Sequence, residues 1–331
     1  MKIMETIGID VSKATLDVCI HSNQELATFE NSDKGFAQLL KWGYRSSSHP
    51  KEHIFIAFEH TGLYSERLSE YLSKKDITHA MISGLEIKRS LGIARGKDDQ
   101  IDASKIALYA YRLRDEIRPS LAQSKEIKTV KKLLSLRDRL VRQRAGYKAS
   151  SREQKDILKR KDNELLFKVQ DRMIKELSKQ IKEIENEMQR IIKSKPELDH
   201  IFVLLKTIKC IGDQAALFLL VYTGAFTKFR NARQFAAYCG VAPFPNRSGT
   251  SLRGKTRVSH LANKKMKSLL DMCAKSSILY NMEIRDYYYR RVAEGKSKMG
   301  TVNIIRNKLI SRVFAVINRD TPYVDLWKYA S

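Results

Sequence analysis

The chain has 331 residues, with 62 Lys and Arg against 37 Asp and Glu, a formal charge of +25 and an apolar fraction of 43%. Composition and length describe a globular chain of two or three domains and exclude a disordered one. No stretch approaches the ~18 uninterrupted apolar residues of a membrane span, the N-terminus lacks the run and cleavage site of a secretory signal, and Cys19, Cys210, Cys239 and Cys273 form no C-x-x-C pair, so a cytosolic protein with core thiols, and neither disulfides nor a zinc site, is expected.

The N-terminal third alternates short apolar runs with helical patterns. Thr6 to Asp10, Leu16 to Ile20 and Leu26 to Glu30 are spaced as three consecutive strands. Asn31-Ser32-Asp33 offers caps for a helix carrying Phe36, Leu39 and Leu40. The unbroken apolar run Ile54 to Phe58, closed by Glu59, predicts a buried strand, followed by a helix with Leu63, Leu68 and Leu72 and a fifth strand over Thr78 to Ile82. After a basic loop, Asp99 to Leu113 has a helical apolar face and stops before Pro119. This is an α/β domain, assigned to residues 1–120.

Residues 121–197 read as helical. Ile127, Val130, Leu134 and Val141 fit a basic amphipathic helix. Ile174, Leu177, Ile181, Ile184, Met188 and Ile191 step by three and four as a heptad seam that ends at Lys195-Pro196. Its partner helix lies either in the same chain or in another subunit. In residues 198–331 helices are expected near Gln214 to Tyr222, Ala232 to Tyr238 and Lys264 to Ser277, with a Gly/Ser/Arg loop between the last two. Leu205 to Gly212 leading into Gln214-Ala215-Ala216 reads either as a helix-hairpin-helix element, whose turn amides approach a DNA backbone, or as a plain helix connection.

The charge is unevenly placed. Residues 1–122 hold 17 basic and 17 acidic residues, so the remaining chain carries the whole excess. Lys125 to Lys161 has 14 basic and 4 acidic residues, and no Asp or Glu occurs between Asp213 and Asp271. Two long internal basic segments suit a nucleic acid, which releases counterions on binding. A membrane surface would favour one amphipathic helix or a tail.

Four acids of the first domain stand where strands and a helix can aim them at one point: Asp10 and Glu59 close apolar strands, and Asp99 and Asp102 share a helical face. Each alone also fits a solvated or capping role. Together, in this order, they suit a ribonuclease-H-like nuclease core, in which two hard divalent cations about 4 Å apart flank the reacting phosphate. Four clustered acids repel one another unless cations join them. In the third region Ser248 stands beside Gly249 and among Arg247, Arg253, Lys255 and Arg257, a setting that neutralises a phosphate. Such a serine attacks phosphorus once its proton is removed. From the residues alone a loop that only contacts phosphate fits as well, and Thr250 and Ser251 are also eligible nucleophiles.

As a set, Gly8-Ile9-Asp10-Val11-Ser12-Lys13, Phe58-Glu59-His60-Thr61-Gly62, Lys97-Asp98-Asp99-Gln100-Ile101-Asp102-Ala103, Ala232 through Gly240, and Arg247-Ser248-Gly249 through Arg253-Gly254 resemble the DEDD transposases of insertion-sequence family 110. The resemblance spans nearly the whole chain. It implies a RuvC-like (ribonuclease-H-fold) domain, a helical coiled-coil linker and a mainly helical transposase domain. It further implies Asp10, Glu59, Asp99 and Asp102 as ligands of magnesium or manganese and Ser248 as the nucleophile, with Asp98 a competitor beside Asp99. The implied reaction cuts and exchanges DNA strands through a 5′-phosphoserine intermediate. The RuvC-like site of one subunit is completed by the serine domain of another. Implied partners are donor and target DNA, a bridge RNA, and copies of the chain as a dimer and a synaptic tetramer, in the bacterial cytoplasm at the nucleoid. Related proteins invert DNA segments instead. Competing expectations are a RuvC-like nuclease using water, a non-catalytic binding protein, and an actin-like sugar kinase, whose Gly-rich phosphate loops are missing.

Overall fold

The structure is a computed structural model that describes residues 2–90, 99–120, 123–248 and 252–325. It divides into two compact units, Met1–Ala122 and Gln123–Ser331. No helix among the described residues is long and apolar enough to cross a membrane.

The first unit is built on strands β1 (Glu5–Val11), β2 (Thr15–Ile20), β3 (Leu26–Glu30), β4 (Ile54–Glu59) and β5 (His79–Ile82) and helices α1 (Asp33–Ser46), α2 (Leu63–Lys74), α3 (Gly84–Ser90) and α4 (Asp99–Arg112). The sheet order is β3-β2-β1-β4-β5, with β1 antiparallel to β2 and parallel to β4. The Ser32 hydroxyl accepts from the Gly35 amide and caps α1, as the Asn-Ser-Asp signal predicts. Strand alternation divides the sheet into two faces. Ile7, Ile9, Leu16, Val18, Ile56 and Phe58 pack on one side with Phe36, Leu39, Leu68 and Leu72 of α1 and α2. Phe55, Ala57, Ala80 and Ile82 pack on the other with Ile106 and Ala110 of α4. Helix α3 lies within the stretch read as a basic loop; its seven residues are too few to show a 3.6-residue period.

The second unit begins with α5 (Lys125–Ile157) and α6 (Glu164–Lys193). They pair as an antiparallel hairpin: Arg137 Nε meets Glu185 Oε1 at 2.7 Å, Arg144 donates to the Ser178 hydroxyl, and Gln170 Nε2 donates to Gln154 Oε1 at 2.7 Å. The heptad seam is thus engaged within the chain, with Leu177, Ile181 and Met188 buried. Next come α7 (Pro196–Thr207), with Pro196 in its first turn, α8 (Asp213–Thr223), α9 (Ala232–Tyr238), β6 (Pro243–Ser248), β7 (Leu252–Val258), α10 (Lys264–Tyr280), α11 (Met282–Ala293) and α12 (Lys298–Arg319). Helix α8 is apolar all round, and Ala215 through Val221 are buried at the centre of the unit. Met188 and Ile192 of α6 and Ile127, Val130 and Leu134 of α5 join the same core. Cys19, Cys239 and Cys273 are buried, and burial pushes the Cys239 and Cys273 thiols up to about 12 and about 11.

The stretch expected as a Gly/Ser/Arg loop is a β-hairpin. Proline is tolerated because Pro243 opens β6 and Pro245 sits where the register with β7 shifts, positions at which a missing N–H costs little. Ile181→Asp places an unpaired charge inside the α5–α6 hairpin. A loss of about 3 kcal/mol is expected in denaturant unfolding, whereas Lys182→Asp at the exposed neighbouring position is expected to shift stability by less than about 0.5 kcal/mol.

Candidate functional site

On the sheet face opposite α1 and α2, Thr6, Gly8 and Asp10 of β1 alternate outward beneath α4. The approach is close: a Cβ on Gly8 would lie 2.2 Å from the Ala107 nitrogen and 2.4 Å from the Ala103 carbonyl oxygen. Glycine is required because α4 backbone rests on the strand. The Thr6 hydroxyl donates to the Ala107 carbonyl at 2.9 Å. Moving up β1 from Thr6 to Gly8 therefore moves down α4 from Ala107 towards Ala103. Two strand residues span ~6.6 Å and four helical residues ~6 Å. A further step of the same size would bring Asp10 level with the first turn of α4, which holds Asp99 and Asp102.

Across β1 and β4 the register Gly8↔Ala57 and Ile9↔Phe58 continues to Asp10 beside Glu59, on the same face and one strand spacing, roughly 4.8 Å, away. A Cβ on Gly84 would stand 2.0 Å from Glu59 Oε1, so the start of α3 forms a cradle that only glycine leaves open for this carboxylate. On β2, Asp17 is the cross-strand partner of Asp10, is nearly buried and accepts a 2.6 Å hydrogen bond from Thr28. Asp102 accepts a 2.7 Å ion pair from Lys105 one turn along α4. Asp99 is the first residue of α4, and its side chain lies outside the described set, as does Asp98 altogether.

The strand register thus points Asp10 and Glu59 to adjoining positions on the face that α4 covers at Ala103 and Ala107. Among the described residues no three His, Cys, Asp or Glu side chains are close enough to hold an ion. The donor chemistry nevertheless fits a hard divalent cation, because the groups sharing this face are carboxylate oxygens. The buried Thr61 hydroxyl, two residues past Glu59, has no hydrogen-bond partner among the described residues. Sequence reading missed Asp17, Gly84 and Lys105. Asp17 was recoverable from alternation, since Leu16, Val18 and Ile20 take the opposite face. The Gly84 contact joins elements far apart in sequence and left no local signal.

In the second unit Ser248 ends β6, paired with Leu252, and Arg247 pairs with Arg253. The side chains of Arg247, Ser248, Arg253 and Lys255 lie outside the described set, as do Gly249, Thr250 and Ser251 entirely, while Arg257 is exposed on β7. The hairpin's base is held firmly. Asn303 and Asn307 of α12 both donate to the Val241 carbonyl at 2.9 Å. Gly240 takes a φ of 65° and lies where a Cβ would meet Ala262 Cβ at 2.2 Å, so no other residue fits. Asn263 donates through its amide side chain to the Tyr238 hydroxyl at 2.8 Å, and burial pushes the Tyr238 phenol up.

Comparison with known proteins agrees on one family. Residues 7–158 match a DEDD-type family profile of the IS110 group described as "Transposase", and residues 203–289 match one described as "Transposase IS116/IS110/IS902 family". The pilin gene-inverting proteins of Moraxella bovis and Moraxella lacunata are each 28% identical over 323 residues, 96% of this chain and 97% of theirs. An insertion element IS110 uncharacterized 43.6 kDa protein of Streptomyces coelicolor is 30% identical over 120 residues, 36% of this chain and 29% of that one. Gly84→Ala, which adds one methyl group against Glu59, is expected to lower DNA strand cleavage by about 10²-fold through misplacement of that carboxylate. The thermal unfolding midpoint, measured alongside, is expected to stay close to that of the parent.

Proposed function

Because the chain belongs to the IS110 family of transposases and is on that ground a DNA recombinase, we propose that it cuts and rejoins DNA through Ser248, with Asp10, Glu59, Asp99 and Asp102 as the metal-binding carboxylates. The observation that supports this reading is the parallel register of β1 and β4 up to Ile9↔Phe58, one residue short of Asp10 and Glu59, with α4 backbone resting on Gly8. The strand order β3-β2-β1-β4-β5, with an antiparallel β2, supports a ribonuclease-H-like (RuvC-like) assignment for residues 1–120. Residues 121–197 then form the helical linker and 198–331 the transposase domain.

In the reaction, Ser248 Oγ bonds to phosphorus while the bond from phosphorus to the 3′ oxygen breaks. The serine proton passes to a carboxylate or water, and the departing oxygen is protonated to a 3′ hydroxyl. The product is a 5′-phosphoserine ester. Attack by the 3′ hydroxyl of the exchanged strand reverses these steps and frees the serine. Arg247, Arg253, Lys255 and Arg257 neutralise the phosphate and hold it at the hairpin. Asp10, Glu59, Asp99 and Asp102 would hold magnesium, or manganese in its place. When bound, the cation supplies electrostatic stabilisation of the charge that builds on the phosphate oxygens. Carboxylates of one subunit and the serine hairpin of another act on one phosphate, within a dimer that pairs into a tetramer at synapsis.

Donor and target DNA are the substrates, a bridge RNA guides their choice, and the reaction runs in the bacterial cytoplasm at the nucleoid. The basic segments Lys125 to Lys161 and 214–270 support two polyanionic partners. A second reading, inversion of a DNA segment rather than movement of an element, is favoured by the similarity over nearly the full length to two pilin gene-inverting proteins. It uses the same chemistry on sites within one molecule.

Ser248→Ala is expected to abolish both cleavage and the protein–DNA adduct seen on a denaturing gel. Nicking that survives in this variant would replace the serine with water. Asp10→Asn and Glu59→Gln are expected to bind DNA as the parent does and to cleave none; processing at the parental rate would remove the carboxylates from the reaction.

A further inference from the structure

Beside the base of the β6–β7 hairpin lies a concavity of about 540 Å³, walled by Phe244, Pro245, Arg257, Val258 and Leu261. We propose that it receives one unstacked nucleobase of the DNA strand under reaction, stacked on the Phe244 ring and clamped by Arg257. The proposal rests on the serine reading above and extends it to a second contact on the same strand.

Three observations carry it. First, Phe244 and Leu261 are each 45% exposed, and with Pro245 and Ala237 they line one continuous apolar surface rather than standing singly. Its volume lies within the ~300–1,000 Å³ typical of clefts that take a small planar ligand. Second, the walls are fixed before any ligand arrives. Phe244 and Arg257 are cross-strand partners, Pro243 pairs with Val258, and Val241 is anchored by two asparagine side chains. The Ser259 hydroxyl accepts from the Leu261 amide at 3.1 Å and shapes the far side.

Third, the surrounding charge selects the occupant. No acidic residue occurs between Asp213 and Asp271, and the charged group in the wall is a guanidinium. A guanidinium plane stacks on a base and also pairs with its phosphate. An aromatic face beside such a cation, in a groove free of acids, is the combination that holds single-stranded nucleic acid. A greasy peptide segment would gain nothing from the arginine. Phe244 precedes Ser248 by four strand residues, roughly 13 Å at ~3.3 Å per residue. The base would therefore belong to a nucleotide a few steps from the phosphate that Ser248 engages. Opening the duplex there separates the strands to be exchanged, and a stacked base keeps them apart.

The test uses the full chain carrying Ser248→Ala, so that the strands stay intact, and compares an oligothymidylate with an abasic strand of equal length. Both carry the same phosphates, so their difference reads base contacts alone. The parent is expected to bind the oligothymidylate on the order of 10-fold more tightly. Phe244→Ala is expected to erase that preference and leave abasic binding unchanged, while Phe244→Tyr keeps it. If Phe244→Ala does not fold, Phe244→Leu, which retains apolar volume without a ring face, carries the same expectation. Equal binding of both strands by the parent, or a preference that survives loss of the ring, would overturn the pocket and leave the serine mechanism standing. Cleavage that persists without Ser248 would overturn the mechanism and leave the pocket standing.

Discussion

The backbone contact between β1 and α4 at Gly8 is the constraint on which the first unit depends. A helix normally stands off a sheet by the thickness of two side-chain layers. Here the Ala103 and Ala107 backbone meets a strand residue with no side chain. Ala103, Ala107 and Cys19 form a small cluster of their own around this point. The short separation lets a helix start come down to the carboxyl end of β1, where Asp10 and Glu59 emerge. With a larger residue at position 8 the helix would rise, and its first turn would lose its level with those carboxylates. The approach of α4 is thus set two residues before Asp10, inside the motif Gly8-Ile9-Asp10.

Charge follows the same structural division. The unit Met1–Ala122 is neutral in its count of Lys and Arg against Asp and Glu, and the excess begins at the boundary. Within the second unit many acids are spent on internal ties. Asp138 pairs with Lys265, Asp213 with Lys206, Glu185 with Arg137, Asp271 with Arg306 and Lys275, and Glu283 with Arg312. These acids join helices to one another, and their partners are a small part of the basic complement. Residues 123–331 hold 45 Lys and Arg against 20 Asp and Glu, so acids can offset fewer than half of the basic side chains. In the proposed reaction the two charge sets have opposite tasks, since the carboxylates would gather cations and the basic surface phosphates.

Much of this was legible in the sequence because alternation and helical periodicity are strong wherever one face is buried. The five strands, α1, α2, α4 and the α5 and α6 pattern all follow from them. The seam Ile174 to Ile191 predicted a partner helix without identifying it, because knobs fit holes in the same way within a chain and between chains. Long-range pairings such as Arg137 with Glu185 settle that point in the fold. Helices α11 and α12 escaped the reading. Helix α11 mixes Tyr and Arg with few apolar residues, whereas α12 carries a stripe at Val302, Ile305, Leu309, Val313 and Val316 that is interrupted by Asn and Arg. At the candidate site the order of Asp10, Glu59, Asp99 and Asp102 was visible, whereas Gly84 and Asp17 were not singled out. Their importance arises from neighbours supplied by other elements.

The change from expected loop to observed hairpin alters what the serine can do. A serine on an open loop would sample many positions, and the entropy of fixing it would be lost at each turnover. At the end of β6 its backbone is held by pairing with Leu252, and the strand is rooted through Val241 in α12. In the proposed reading the serine therefore sits on a paired strand, as Asp10 and Glu59 do on the sheet of the first unit. What remains to be fixed at the moment of reaction is the DNA. That places the demand on the basic surface and on any contact that holds a single strand in place, which is the role best suited to an arginine and an exposed aromatic ring at the hairpin's root.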